Sequence, residues 1–403
     1  MPTLAPARPL LDWLAVGSLT AGVFAIVTSE ILPIGLLPEI GADFGVSDGV
    51  AGLTMTLPGL VAAVAAPAVT LATARVDRRV MLCLLMAVLA VADVLAALAR
   101  SYEVMLVSRV LVGFTIGGFW SIGAGLAGRI VAARSVATAT ALIFSAVPLG
   151  SVLGVPLGTL FGQLAGWRAA FWALAALAVL VLVALLVLLP PLPAHQVTSA
   201  RVLLGLLRGR ATALALLATA LLVLAHFGTY TYVAPFLREV AGLPPAAVSA
   251  VLLAYGVAGI AGNFLTGLRR RRSTAAVSGG RVAAAADLTR DPRRVFAVTG
   301  ALIAAATLLL PLAGDTVAGT VGLLVLWGLA YGAVPVCSQA LFLRAAPHAP
   351  EAATVLFTSS FQATFAVGAL LGGVVVDTWS VSAVMVCGGL VAAVMAMVTF
   401  RAR

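Results

Sequence analysis

The chain has 403 residues, 62% of them hydrophobic and 9% charged, with a mean hydropathy of +1.16; a soluble domain carries about 25% charged residues. This composition excludes a soluble enzyme or a nucleic-acid-binding domain, so the net charge of +10 has to be read against a bilayer. All 24 basic residues are arginine, and Cys83, Cys337 and Cys387 sit in apolar runs without the spacing of a metal site or a disulfide framework.

Arg8 alone precedes the first apolar run, and no small-residue cleavage site follows it, so this segment reads as a retained span and not a signal peptide. Apolar runs of about 20 residues recur along the chain at 13–37, 50–72, 80–99, 104–128, 136–162, 169–189, 211–235, 246–268, 294–313, 316–343, 351–376 and 381–400. They predict an all-α membrane protein with twelve transmembrane helices. With the N-terminus inside, 20 arginines fall on inner segments and only Arg100, Arg168 and Arg238 on outer ones. By the positive-inside rule both termini are then cytoplasmic.

Span one raises the first question. Between Trp13 and Leu37 the only formal charge is Glu30, and a charge at a helix centre costs roughly 2.5 to 3.5 kcal/mol on insertion scales. Pro33 lacks an amide hydrogen, which frees the Ser29 carbonyl in the same turn. Polar backbone at that depth requires a cavity or a neighbouring helix. Because burial favours the neutral form of a carboxyl, Glu30 can take a proton from one side and release it to the other. Asp93 in span three is also membrane-buried and is expected to pair locally. Arg109, six residues into span four, is a buried cation that needs acceptors or water.

The two halves repeat. Pro38, Gly45 and Gly59 recur as Pro235, Gly242 and Gly256, an offset of 197 each time. "DRRVML" after span two recurs as "PRRVFA" after span eight, with Arg78 and Arg79 matching Arg293 and Arg294 at an offset of 215. The extra 18 residues place an insertion at 269–286, whose Arg, Ala, Ser and Gly content predicts a poorly ordered loop near anionic lipid. The expected organisation is a six-helix bundle at 1–189, a linker at 190–210 rich in proline and arginine, and a second bundle at 211–403 with an extended loop at 269–293. Two parallel six-span halves suit a transporter that rocks about a midplane site. At the offset of 197, His226 falls opposite Ser29. A histidine titrates near neutral pH, so the first helices of the two halves bring titratable groups to similar depth.

The motifs are "TSEILPIGLLPEI" in span one, "ARVDRRVML" after span two, "LVSRVLVGFTIGGFWSI" in span four, "GSVLGVPLGTLFGQLAGWRAAF" in span five and "WGLAYGAVPVCSQ" in span ten. On these the chain resembles the major facilitator superfamily over nearly its whole length. Within it, the chain resembles the twelve-span drug:proton antiporters, in the branch with bacterial sugar-efflux and chloramphenicol-resistance permeases. The resemblance implies two six-helix pseudo-repeat bundles, a bacterial cytoplasmic membrane, a monomer, and no cofactor or metal. Glu30, Arg109, His226 and Asp93 are the candidates for proton coupling, and because spans one and seven face each other across the cavity in that fold, His226 is expected to share a water-filled space with Glu30. The cavity, lined by spans one, four, seven and ten, would draw on Phe119, Trp120, Phe227, Tyr230, Tyr232, Tyr331, Ser338 and Gln339. Spans five, eight and eleven would add Phe144, Tyr255, Asn263, Phe361 and Gln362. Aromatic walls with a few amides and hydroxyls suit an amphipathic organic molecule.

Gly150, Gly154 and Gly158, with Pro156, resemble the antiporter signature of span five, although Val155 intervenes before the proline. Glycines every four residues also allow close helix approach on one face. The loop after span two keeps Arg75, Arg78 and Arg79 but has Asp77 where the family has a glycine, so charge retention on the inner face is its expected role.

The leading functional expectation is a proton-coupled exporter of a small amphipathic drug or metabolite, with a sugar or sugar-analogue exporter as the alternative. A polytopic membrane enzyme is disfavoured, because no serine–histidine constellation or catalytically spaced carboxylate pair is present. Nucleotide-driven pumping is disfavoured because no lysine exists to complete a phosphate-binding loop.

Overall fold

The computed structural model describes residues 9–73, 76–123, 126–193, 200–275, 292–313, 316–332, 334–347 and 349–401. The first half contains spans one to six: Pro9–Phe44, Leu53–Ala72, Arg78–Leu98, Tyr102–Gly123, Val136–Ala165 and Trp167–Leu188. In the second half, span seven is Arg210–Tyr230 continued by Val233–Glu239, span eight Pro245–Ala275 and span nine Pro292–Ala313. Span ten is Val317–Tyr331 continued by Val334–Ala345, span eleven Pro350–Thr378 and span twelve Val381–Arg401. Among the described residues 11 helices are long and apolar enough to cross a membrane, and Val317–Tyr331 is a shorter apolar helix. The interruptions in spans seven and ten each precede a proline, Pro235 and Pro335, whose missing N–H cannot continue the helical ladder.

The repeat is visible in the backbone. Gly45 (φ 65°) and Gly242 (φ 61°) end the first span of each half in the left-handed region, which glycine adopts without a Cβ penalty. The insertion differs from its expectation at its start. Span eight stays helical to Ala275, because arginine and alanine are strong helix formers; residues 276–286 lie outside the described residues.

One core fills the first half around Leu19, Ile26, Leu85, Leu89 and Phe119. The core of the second half crosses the seam, joining Phe227, Tyr232, Phe236 and Trp327 to Ile31, Ile34, Met55 and Val155 of the first half. Span eleven packs on span two, and span eight on span five. Gly59 sits against Gln362, Phe365 and Ala366, and Gly256 against Val152, positions where a Cβ would come within 3 Å of the neighbour.

Candidate functional site

The site is built on carbonyls that prolines release. Pro33 frees the carbonyl of Ser29 and Pro58 that of Thr54, each four residues earlier. Arg109 answers both: its Nη2 donates to Ser29 O at 2.8 Å and its Nε to Thr54 O at 3.1 Å. Nη2 also reaches Glu30 O at 3.1 Å. Arg109 is 0% exposed, so these acceptors stand in for the water it has lost. The Ser29 hydroxyl donates to Asp93 Oδ1 at 2.7 Å. Asp93 therefore does not pair within its own surroundings on span three, as expected from the sequence, but binds span one beside Glu30. It too is 0% exposed.

Glu30 is half-buried, and Gln362 of span eleven donates to its Oε1 at 2.7 Å, joining the two halves at mid-depth. Tyr331 of span ten lies within electrostatic range of the Glu30 carboxylate. A third proline repeats the device across the seam: Pro67 frees Ala63 O, which accepts from the Ser359 hydroxyl of span eleven.

His226 is 1% exposed and enclosed by rings. It stacks on Tyr331 with centroids 3.4 Å apart and planes 7° from parallel. Tyr230 is also stacked with it at 5.2 Å, and Phe227 and Trp327 meet it edge-on. Trp327 Nε1 donates to His226 Nδ1 at 3.1 Å, which makes Nδ1 an acceptor and puts the imidazole proton on Nε2. His226 thus does not open with Glu30 onto a shared water-filled space; it is a neutral wedge behind Tyr331.

The other expected ligand contacts divide into groups. Trp120 and Phe144 are half-buried with rings 6.0 Å apart, and Tyr331, Gln339 and Phe361 are also half-buried. Phe227 meets Phe361 and Tyr331 edge-on at 6.1 and 6.0 Å. Asn263 is half-buried on span eight. Five others are placed elsewhere than a cavity wall. Phe119 is packed in the first-half core. Tyr230 stacks on Tyr255 at 4.6 Å within the His226 cluster. Tyr232, fully buried, donates to Ala369 O at 2.8 Å in the seam. Ser338 is fully buried. A separate cavity of about 180 Å³ lies wholly in the second half, among Leu214, Leu217, Phe296, Leu341 and Val398, below the roughly 300 Å³ at which small-molecule pockets begin.

The glycines of span five face span one. A Cβ on Gly150 would meet Val27 at 3.0 Å, on Gly154 Ile31 at 3.1 Å, and on Gly158 Leu32 at 2.8 Å, so the stripe seats the turn that carries Glu30. Asp77 does more than hold charge. Its Oδ1 accepts from Arg79 N at 2.8 Å and its Oδ2 from Leu192 N at 2.9 Å, while Arg78 N donates to Leu192 O at 2.8 Å. Arg78 Nη1 donates to Thr73 O at 3.1 Å, Arg79 to Leu186 O, and Arg129 to Pro193 O. The loop clips the start of the linker to the first half. Arg75 lies outside the described residues.

The halves are fastened on the face away from the termini. Asp377 of span eleven accepts from Ser47 Oγ at 2.6 Å and Gly49 N at 3.0 Å; Arg238 pairs with Glu39; and Thr159 bonds Ser249. Sequence reading found the freed Ser29 carbonyl but missed the Ser29 hydroxyl's bond to Asp93, and it missed Thr54, Ala63, Trp327 and Ser359. Thr54 and Ala63 were within reach, since each stands four residues before a proline in an apolar span. Trp327 and Ser359 had no local signal.

Residues 19–353 match the sequence profile of the Major Facilitator Superfamily. The fold is similar to the crystal structure of the human organic anion transporter MFSD10 (TETRAN), with a TM-score of 0.69 and 17% sequence identity over 98% of this chain and 100% of that one. That match is a human protein, which removes the expectation of a bacterial cytoplasmic membrane; multi-pass membrane localisation stands. Among the described residues no cluster of metal-ligating side chains occurs. The profile match, the membrane-spanning helices and the two-bundle fold make the chain a transporter and not an enzyme, and it belongs to the Major Facilitator Superfamily.

Proposed function

We propose that the protein is a proton-coupled secondary transporter that exports a small amphipathic organic compound by alternating access, with Glu30 as the proton carrier. The observation that carries this reading is the Glu30–Gln362 bond: a half-buried carboxylate held across the seam at mid-depth. Protonating Glu30 or turning it toward a substrate changes what Gln362 can hold, which ties the proton to the relation between the halves. The fastenings on the face away from the termini suit one of two end states; rocking would exchange them for contacts on the other face.

The human match is an organic anion transporter, which supports a small organic solute as cargo. In this chain two of the three Arg109 nitrogens are committed to backbone carbonyls, while Glu30 remains half-buried, held by Gln362 and within electrostatic range of Tyr331. A neutral or cationic amphipathic compound fits that arrangement better than a sugar, which needs many hydrogen-bond partners. The test is a compound panel in proteoliposomes under an imposed proton gradient. Wild type is expected to concentrate at least one compound, and Glu30→Gln is expected to abolish gradient-driven accumulation at normal protein level. Unchanged accumulation by Glu30→Gln removes Glu30 as carrier.

A further inference from the structure

Arg109, Glu30 and Asp93 form one buried charge set around the Ser29–Glu30 peptide. Arg109 binds the two carbonyls of that peptide, and Asp93 binds the Ser29 hydroxyl. Both carboxyls are electrostatically coupled to the guanidinium, although neither forms a direct ion pair with it. Arg109 Nη1 and Asp93 Oδ2 have no protein hydrogen-bond partner among the described residues. Among the described residues, Thr54 O also accepts from Arg109 Nε, and the polar side chains shown against the set are Gln362 of span eleven and Tyr331 of span ten, both on the Glu30 side.

Charge accounting separates the two carboxyls. With Glu30 protonated, Arg109 would stand as an uncompensated buried cation unless Asp93 is ionised, and a buried charge without a partner is strongly destabilising. With Glu30 ionised, the surplus negative charge falls on the carboxyl that is only half-buried and has an amide donor. Asp93 is 0% exposed with the Ser29 hydroxyl as its one hydrogen-bond donor among the described residues, so it is out of contact with the solvent that reaches Glu30, and the field of Arg109 is what offsets the burial of its charge. We propose that Asp93 is the standing counter-ion of Arg109, and that its fixed charge lets Glu30 gain and lose a proton without leaving the arginine unbalanced. This rests on Glu30 as the proton carrier and assigns Asp93 a positioning role: it touches neither cargo nor proton.

Asp93→Asn keeps an oxygen for the Ser29 hydroxyl and deletes the charge. Glu30 then becomes the sole anion balancing Arg109, its ionised form is favoured, and protonating it takes a lower pH. The experiment is an infrared titration of the protonated-carboxyl band in reconstituted protein, which needs no substrate. Glu30→Gln is expected to remove the titrating band. Asp93→Asn is expected to keep it with the midpoint moved down by about one pH unit or more, a tenfold change in proton affinity, and Asp93→Glu to restore it. Ser29→Ala strips Asp93 of its one hydrogen-bond donor and so favours its neutral form; it is expected to move the midpoint in the same direction as Asp93→Asn, and it serves if Asp93→Asn does not assemble. An unmoved midpoint in Asp93→Asn, or in Ser29→Ala where Asp93→Asn does not assemble, overturns the counter-ion role. A band lost in Asp93→Asn and kept in Glu30→Gln overturns it by making Asp93 the carrier. A Glu30→Gln protein with normal gradient-driven transport instead ends the carrier reading, whatever Asp93→Asn does.

Discussion

If Arg109 is held in the membrane by carbonyls that prolines release, restoring a helical N–H should make part of it dispensable. Arg109→Met leaves Ser29 O and Thr54 O without their donors. An unsatisfied buried acceptor costs about 1 to 3 kcal/mol, so the two together cost roughly 2 to 6 kcal/mol. Pro33→Ala returns an amide hydrogen four residues after Ser29, inside the continuous helix Pro9–Phe44. It should therefore recover about 1 to 3 kcal/mol in the Arg109→Met background and much less in wild type, where Arg109 already serves that carbonyl. Relief of the proline ring's steric conflict is common to both backgrounds and cancels in the double-mutant cycle. The assay is urea unfolding in mixed micelles of wild type, both single variants and Arg109→Met/Pro33→Ala. Strict additivity would refute the account, because it would mean that Arg109 and the missing amide do not serve the same oxygen.

Two further outcomes are expected. Trp327→Phe strips the donor from His226 Nδ1 and should lower unfolding stability by about 1 to 3 kcal/mol, while the pH profile of transport stays in place; a moved profile would return His226 to proton coupling. Arg238→Gln removes the Glu39 pair, whose side chains are 23% and 22% exposed, and at about 1 kcal/mol for a partly screened pair should raise hydrogen exchange several-fold over residues 45–52, where the Gly49 amide is otherwise held by Asp377. Unchanged exchange there would show that the pair does not hold the seam.

The sequence made the twelve spans, the repeat and the buried charges legible because a bilayer imposes length, apolarity and an accounting of every polar group. Glu30, Arg109 and Asp93 announced themselves as costs. Their partners did not. The Ser29 hydroxyl and Trp327 gave no sign until packing decided which side chain reaches which atom, as did the pairing of Gln362 with Glu30, and no periodicity in an all-apolar helix says which face turns inward. The same limit misplaced Tyr232 and Phe119, whose rings fill the seam and the first-half core. His226 matched Ser29 by offset, but equivalent depth does not bring two side chains to the same space: the rings of Tyr230, Tyr331 and Trp327 close around it.

The clip formed by Asp77, Arg78 and Arg129 also fixes where the connection between the bundles begins. Leu192 and Pro193 travel with the first half, while Leu206, on the short helix Ala200–Leu207, is buried against Phe342 and Ala353 of the second. Only the chain from Pro193 to Ala200, seven Cα steps, is left to bridge them, and at 3.3 to 3.6 Å per step that leash extends to roughly 23 to 25 Å at most. Under the proposed alternating access, a swing that parts the two anchor points further would have to undo the hydrogen bonds at Leu192 or the packing of the short helix, so clip and helix together would act as a mechanical stop on the travel of the bundles. Lengthening the leash would leave either end state unstrained and remove the stop.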